Sequence, residues 1–231
     1  MDRREFARIV GASLGAGALA PKLAAQDPEA AERYLARIRS DLKRARDEQL
    51  PALERAGQLL AERVAGGGRL LIHDARGEYV AEALGRAGGL MGIAGLGGDP
   101  AAVKAADALL IVADEAANPA DVGPATQARK AGALVVGICP VRPQPGALSG
   151  ACDEAIDNYV TDEDAAVTVD GVAMAPTSGV LNTALLWALT AAYIEAMEAR
   201  GKPPHVWMSI KRPGSKACND AALAATNDMG Y

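Results

Sequence analysis

Residues 108–138 read ALLIVADEAANPADVGPATQARKAGALVVGI, and the order of their parts decides the fold. Ala108 to Val112 and Ala133 to Ile138 are short apolar runs closed by polar or turn residues, and Ala120 to Ala131 between them is helical in character. A buried strand, a helix and a second buried strand predict a parallel pair joined by a crossover. The alternation continues outward. Upstream, Arg69 to Ile72 reads as a strand, Val80 to Ala87 as a helix and Met91 to Leu96 as a strand. Downstream, Ala155-Ile156-Asp157 closes the parallel set, and Ala166 to Val169 with Val172 to Met174 form a hairpin about Asp170-Gly171. A long apolar helix runs from Ser178 to about Arg200, with Leu181, Leu185, Leu186, Leu189 and Ile194 on its core face. The tail from His205 holds a short extended piece and an Ala-rich helix. The predicted fold class is α/β, a doubly wound parallel sheet with a helical arm in front.

That arm occupies residues 26–68. Asp27-Pro28 is a helix start, an N-cap oxygen followed by Pro at the first helical position. Tyr34, Leu35, Ile38, Leu42 and Ala45 recur at helical spacing. Pro51 is expected to break or kink this helix, and Leu53, Ala56, Leu60 and Val64 to carry a second one ended by Gly66-Gly67-Gly68. The α/β domain then spans 69–231.

Residues 1–25 have the build of an export signal: a basic start, a short apolar stretch from Ile9 to Ala20, and small residues near a cleavage point. Arg3-Arg4 before Glu5-Phe6 resembles the twin-arginine motif, with Lys22 after the apolar stretch and cleavage expected after Ala25. The expected location is periplasmic or otherwise extracytoplasmic, with membrane contact through the signal alone.

Composition narrows the function. The 231 residues are 50% hydrophobic and 3% aromatic, so Ala, Val, Leu and Ile must build the core. A net charge of −5, without a basic stripe carrying aromatics, argues against nucleic acid as a partner. Two histidines and three scattered cysteines match no zinc spacing. Cys139, Cys152 and Cys218 leave one thiol unpaired, although a Cys139–Cys152 bridge stays open in an oxidising compartment. The turn after the first strand lacks Gly-x-Gly-x-x-Gly, and no Walker loop is present, so neither a dinucleotide nor any other cofactor is expected.

Ligands of open α/β sheets bind beyond the carboxyl ends of the strands. The loops to watch are His73 to Glu78, Asp114 to Asn118 and Ala175 to Ser178. His73, with Asp74 and Glu78, could supply a base or a metal ligand; a strand-end His bonded to backbone is the plainer reading. Asp114 and Glu115 are either site acids or a solvated loop. A divalent ion at Asp74, Asp114 and Glu115 would need a ligand spacing that the sequence does not offer, and no metal is expected. Thr177 and Ser178 open the long helix, where amides and hydroxyls suit an anion or a sugar hydroxyl as readily as they cap the helix. Trp187 and Trp207 read as core or interface residues rather than sugar platforms.

In its order of segments the chain resembles the SIS (sugar isomerase) domain superfamily over roughly residues 30 to 220. The likeness is greatest to a bacterial branch without an assigned reaction. It is carried by Ala81 to Leu90, Ala108 to Val112, Asn118-Pro119 to Ile138, Ile156-Asp157-Asn158, Pro176-Thr177-Ser178, and Pro203-Pro204 leading to Met208-Ser209. The resemblance implies an SIS-type, flavodoxin-like three-layer sandwich that binds a carbohydrate or carbohydrate derivative and pairs as a homodimer or higher homo-oligomer. It implies Glu78 as the catalytic base of an aldose–ketose isomerase, if the chain is an enzyme. His73, Asp74, Arg76, Gly77, Asp114, Glu115, Asn118, Thr177, Ser178 and Asn219 are then the substrate-binding set. Asn219 would act from the tail, where the related branch tends to carry His at the position of Cys218.

Phosphosugar-binding members of the superfamily use a Gly-x-Gly-x-Ser turn and a later Ser-x-Ser-Gly turn. Here those turns read His73-Asp74-Ala75-Arg76-Gly77 and Ala113-Asp114-Glu115-Ala116. The lost hydroxyls remove donors worth about 1 kcal/mol each, and the acids place like charge beside a phosphate, offset only in part by Arg76. The expected ligand is therefore an unphosphorylated sugar or amino sugar. The alternatives are a non-catalytic assembly subunit on the same fold and a phosphosugar isomerase.

Overall fold

The computed structural model describes residues 28–161 and 163–231. The export signal read at residues 1–25 and the capping role of Asp27 lie outside these. Helix α1 (Pro28–Ala65) is continuous through Pro51, which corrects the expectation of two helices over 26–68. Tertiary packing explains the difference. Pro51 is exposed, whereas Ala52, Leu53, Ala56 and Leu60 are buried against α5 (Ser178–Glu198). The helices approach so closely at Gly57 that a Cβ there would lie 2.8 Å from the Ala192 carbonyl carbon. Burying these four side chains outweighs one lost backbone bond on the wet face.

After α1 the chain builds β1 (Leu70–His73), α2 (Glu78–Gly85), β2 (Ile93–Gly95), a 3₁₀ turn (Pro100–Ala102) and β3 (Ala108–Val112). It continues through α3 (Pro119–Lys130), β4 (Leu134–Cys139), the short α4 (Ala147–Ala151) and β5 (Glu154–Asp157). The five strands are parallel in the order β2-β1-β3-β4-β5, with Leu70 opposite Ala108 and Leu109 opposite Val135. A hairpin, β6 (Val167–Val169) and β7 (Val172–Met174), leads into α5, and α6 (Ser215–Met229) ends the chain. The 3₁₀ turn and α4 escape sequence reading because neither is long enough to show a period.

Alternate strand residues enter two separate cores. Leu70, Ile72, Leu110, Val112, Val136 and Ile138 pack with α1, α2 and α5. Leu71, Leu109, Ile111, Val135 and Cys139 pack with Ala125 and Ala128 of α3 and Leu148 of α4. Burial on both faces is why the strands read as unbroken apolar runs. On α5, Leu181, Leu185, Leu186 and Leu189 are buried and Ile194 is half-buried, as expected of a core helix. Cys139 and Cys152 are buried free thiols in the second core, and Cys218 is exposed. At the outer margin of β5, the Asp157 amide donates to Gln49 Oε1 of α1 at 3.0 Å. Gln49 Nε2 donates to the Tyr159 hydroxyl at 2.8 Å.

Candidate functional site

The strand order reverses between β1 and β3, and the turns that follow these two strands diverge there into a crevice, as the rule for open α/β sheets requires. The first turn is organised by Asp74. This buried carboxylate accepts from the Arg76 amide at 3.0 Å and the Glu78 amide at 3.1 Å through Oδ1, and from the Val80 amide at 2.7 Å through Oδ2. Asp74 thus occupies the amides at the start of α2. Gly77 stands at the head of that helix with φ of 78°, a conformation that disfavours the serine used there by phosphosugar binders.

The second turn presents Asp114. Its Oδ1 accepts from Asn182 Nδ2 at 2.8 Å and the Tyr79 hydroxyl at 2.9 Å, and its Oδ2 from Arg76 Nη1 at 3.3 Å. Arg76 Nη2 lies 3.8 Å from Glu115, so one exposed guanidinium serves both acids. Burial, reinforced by Asp114, pushes the Tyr79 hydroxyl well above its ordinary range, and it stays protonated as the donor. Asn182 is fully buried and is itself oriented by Asn158, whose Nδ2 donates to Asn182 Oδ1 at 2.7 Å and to the Ala113 carbonyl at 2.9 Å. Asn118 caps α3 through the Ala120 amide at 3.0 Å and borders the crevice.

The third element is the head of α5. Thr177 and Ser178 are buried, and their amides donate to Asp164 Oδ1 at 2.8 and 3.1 Å; the Thr177 hydroxyl adds a contact at 3.2 Å. Burial tends to raise the Asp164 carboxyl, but the Ser178 and Thr177 donors outweigh it and hold it below its ordinary value. Both helix starts expected to receive a ligand therefore already carry a carboxylate of the chain.

The crevice has two connected parts. A small recess of about 20 Å³ is walled by Asp74, Arg76, Tyr79, Asp114 and Asp121. A wider mouth of about 460 Å³ shares Arg76, Asp114, Glu115 and Asn118 with it and extends to Thr161 and Asp164. Two of the three anticipated loops meet here, where Asp74, Arg76, Asp114, Glu115 and Asn118 line the walls; the third, with Thr177 and Ser178, lines neither part and touches the mouth only through its bonds to Asp164. His73 is placed behind, with Nε2 2.9 Å from the Ala120 carbonyl and 3.4 Å from Asp121 Oδ1. The Asp121 carboxylate raises the His73 pKa above 6.5, against the opposing effect of burial. Glu78 is exposed on the first turn of α2, outside the lining of both parts. Asn219 is elsewhere: it clamps the Met208 backbone through bonds of 2.8 and 2.9 Å, beside Trp207. Trp187 is half-buried and donates to Glu82 at 3.1 Å.

Sequence reasoning missed Tyr79, Asp121, Asp164 and Asn182 as parts of the site. Asn182 alone left a signal, as an amide inside the buried apolar stripe of α5, one turn after Ser178. Asp121 reads as an ordinary acid in the first turn of a helix.

No protein-family model matches the chain. A UPF0309 protein of Streptomyces coelicolor is 30% identical over 223 residues, covering 79% of this chain and 89% of its own. A UPF0309 protein of Streptomyces griseus is 29% identical over 228 residues, covering 81% and 91%. Among solved structures, the Vibrio vulnificus NanR protein complexed with ManNAc-6P matches with a TM-score of 0.54 and 16% identity, over 90% of this chain and 74% of that one. A crystal structure of a hypothetical protein matches with a TM-score of 0.50 and 15% identity, over 85% and 95%. At such identities the likeness speaks for the fold, which is the SIS-type α/β sandwich.

Proposed function

The chain belongs to the UPF0309 family, and from that premise we propose that it binds an unphosphorylated carbohydrate in the crevice between β1 and β3. A carbohydrate ligand is supported by the fold, shared with a protein solved with ManNAc-6P. The absence of a phosphate from the ligand rests on one observation: Asp74 and Asp164 already hold the amides at the starts of α2 and α5. A phosphate would have to displace carboxylates from charge-assisted bonds worth about 1.5–3 kcal/mol each. It would also face Asp114 and Glu115 against the single guanidinium of Arg76. Sugar hydroxyls meet no such barrier, because each brings a donor to the carboxylates and the mouth has the volume of a small-molecule site.

The reading is one of binding; with Glu78 exposed outside the crevice lining, no proton-transfer step is assigned to it. The resemblance of Arg3-Arg4 to the twin-arginine motif supports export, testable by cell fractionation; pairing as a homodimer, which the SIS resemblance implies, is tested by light scattering. The ligand class is tested by thermal unfolding of the whole chain with sugars, amino sugars and their phosphates. Saturation at a hundredfold excess over Kd raises stability by about 2.7 kcal/mol. Stabilisation by the unphosphorylated set is expected; stabilisation by the phosphates alone overturns the reading, and stabilisation by none favours an assembly role.

A further inference from the structure

We propose that Cys139 and Cys152 are a thiol–disulfide pair, whose bridge fastens α4, the helix that supports the second turn of the crevice. The pair does not depend on what the crevice binds. Cys139 ends β4, and Cys152 caps α4 at its C-terminus. Both side chains enter the second core. Two buried cysteines are by themselves ordinary small apolar residues; Gly137 sets these two apart. It is buried inside β4, where a β-branched side chain suits the strand and glycine weakens it. Its φ is outside the left-handed region, so the backbone does not call for glycine. The space does. A Cβ on Gly137 would lie 2.6 Å from the Cys152 sulfur and 3.5 Å from the Cys139 sulfur. The place of the missing side chain is thus taken by the Cys152 sulfur, in hydrogen-bonding contact with Cys139. Among the described residues no third Cys, His, Asp or Glu joins them to hold a metal ion.

Oxidation needs a co-reactant, a small-molecule or protein disulfide. Cys152, 9% exposed against 0% for Cys139, meets it first. Its thiolate attacks one sulfur of the oxidant and expels a thiolate, leaving a mixed disulfide. Cys139 then attacks the Cys152 sulfur and expels the second thiol, its proton passing to that leaving group. The chain gives up two electrons and two protons, and the oxidant becomes two thiols. Contact with Cys152, and then burial, pushes the Cys139 thiol up, so Cys139 is the later of the two to release its proton. The bond given up, from the Cys152 thiol to the Leu148 carbonyl at 3.3 Å, is a weak one. The Leu148 amide donates to the Ala116 carbonyl at 2.9 Å, and a Cβ on Gly146 would lie 2.6 Å from that of Ala116. Ala116 borders the crevice mouth beside Asp114 and Glu115. A bridge at Cys152 thereby holds the helix on which this turn rests.

The whole chain, unfolded in urea so that the oxidant reaches every thiol, is refolded in glutathione buffers of graded oxidised-to-reduced ratio. N-ethylmaleimide then traps free thiols, and peptide mapping locates them. A peptide pair joined through Cys139 and Cys152 is expected, with Cys218 carrying glutathione or the trap. The buffer that leaves half the chain bridged should be at least about tenfold more reducing than for the same chain kept in urea, because the fold holds the sulfurs together. Free or glutathione-bearing Cys152 across the whole series, a bridge to Cys218, or half-oxidation in the same buffer with and without urea overturns the pair. The Leu148 amide should exchange its hydrogen at least about tenfold more slowly in the bridged chain; equal exchange overturns the link to the crevice. Gly137→Ala, whose methyl displaces the Cys152 sulfur, should erase the tenfold preference, and a preference left intact overturns the role given to Gly137. The bridge itself is read on the unmodified chain, whether or not this variant folds.

Discussion

Asp164 and Thr177 form a closed contact: one carboxylate oxygen takes both the amide of Thr177, at 2.8 Å, and its hydroxyl, at 3.2 Å. The head of α5 is thus capped by a residue thirteen positions upstream, at a φ of 39°. Replacing Asp164 with Ser should lower stability by about 1 kcal/mol in urea unfolding, the usual value of a lost cap. It should also free the Thr177 and Ser178 amides, so that inorganic phosphate, inert toward the unmodified chain in calorimetry, binds the variant. Unchanged phosphate affinity would show that the capping carboxylate is not what keeps the anion out.

Asn182→Leu should be more damaging. It strips Asp114 Oδ1 of one of its two donors and the Asn158 Nδ2 of one of its two acceptors. A lost hydrogen bond is worth about 0.5–1.5 kcal/mol, and about 1.5–3 kcal/mol where one partner is charged. Chemical unfolding should therefore show a larger loss than the Asp164 variant, and a loss under about 0.5 kcal/mol would mean that the network does not hold Asp114.

His73 titrates above 6.5 in the folded chain because of Asp121. A group whose folded pKa is raised contributes stability that is fully present below the unfolded value and is lost as pH rises through the folded one. Histidine NMR should place the His73 midpoint above 6.5, and Asp121→Asn should bring it down. Stability of the unmodified chain should decline across that window, with the decline flattened in the variant.

At the opposite end of the sheet the sign is reversed. Burial works to raise the Asp107 carboxyl, but Arg69 and the amides of Arg69 and Lys104 hold it at about 2. The stabilisation, of order 2 kcal/mol, is present above 3.8 and is lost as pH falls through about 2. Asp107→Asn should be less stable at neutral pH and show a shallower acid limb in unfolding titrations.

Gly57→Ala probes the pairing of α1 and α5. A methyl 2.8 Å from the Ala192 carbonyl carbon cannot be accommodated without separating the helices. A cost of about 1–3 kcal/mol is expected from thermal unfolding, although alanine is the better helix former.

The sheet was legible because both of its faces are buried, which turns strands such as Ala108–Val112 into runs that admit no other reading. Pro51 misled because a local rule says nothing of the packing around Ala56 and Gly57. At the site, Asp74, Arg76, Asp114, Glu115 and Asn118 could be found because strand ends are where ligands bind. Asp121 and Asn182 could not, since their significance lies in what surrounds them after folding: a recess in one case, a chain of amides in the other. Asp164 sits in a stretch without periodicity and is joined to Thr177 only in space.

The bond from the Asp157 amide to Gln49 has a bearing on how copies of the chain meet. An outermost strand normally offers its unused backbone groups to any passing extended segment. Here an intrachain helix covers that margin, with Arg55 adding an ion pair to Glu154. Zippering of neighbouring molecules along β5 into fibres is thereby forestalled, and crowding of the folded protein should not nucleate growth from this flank.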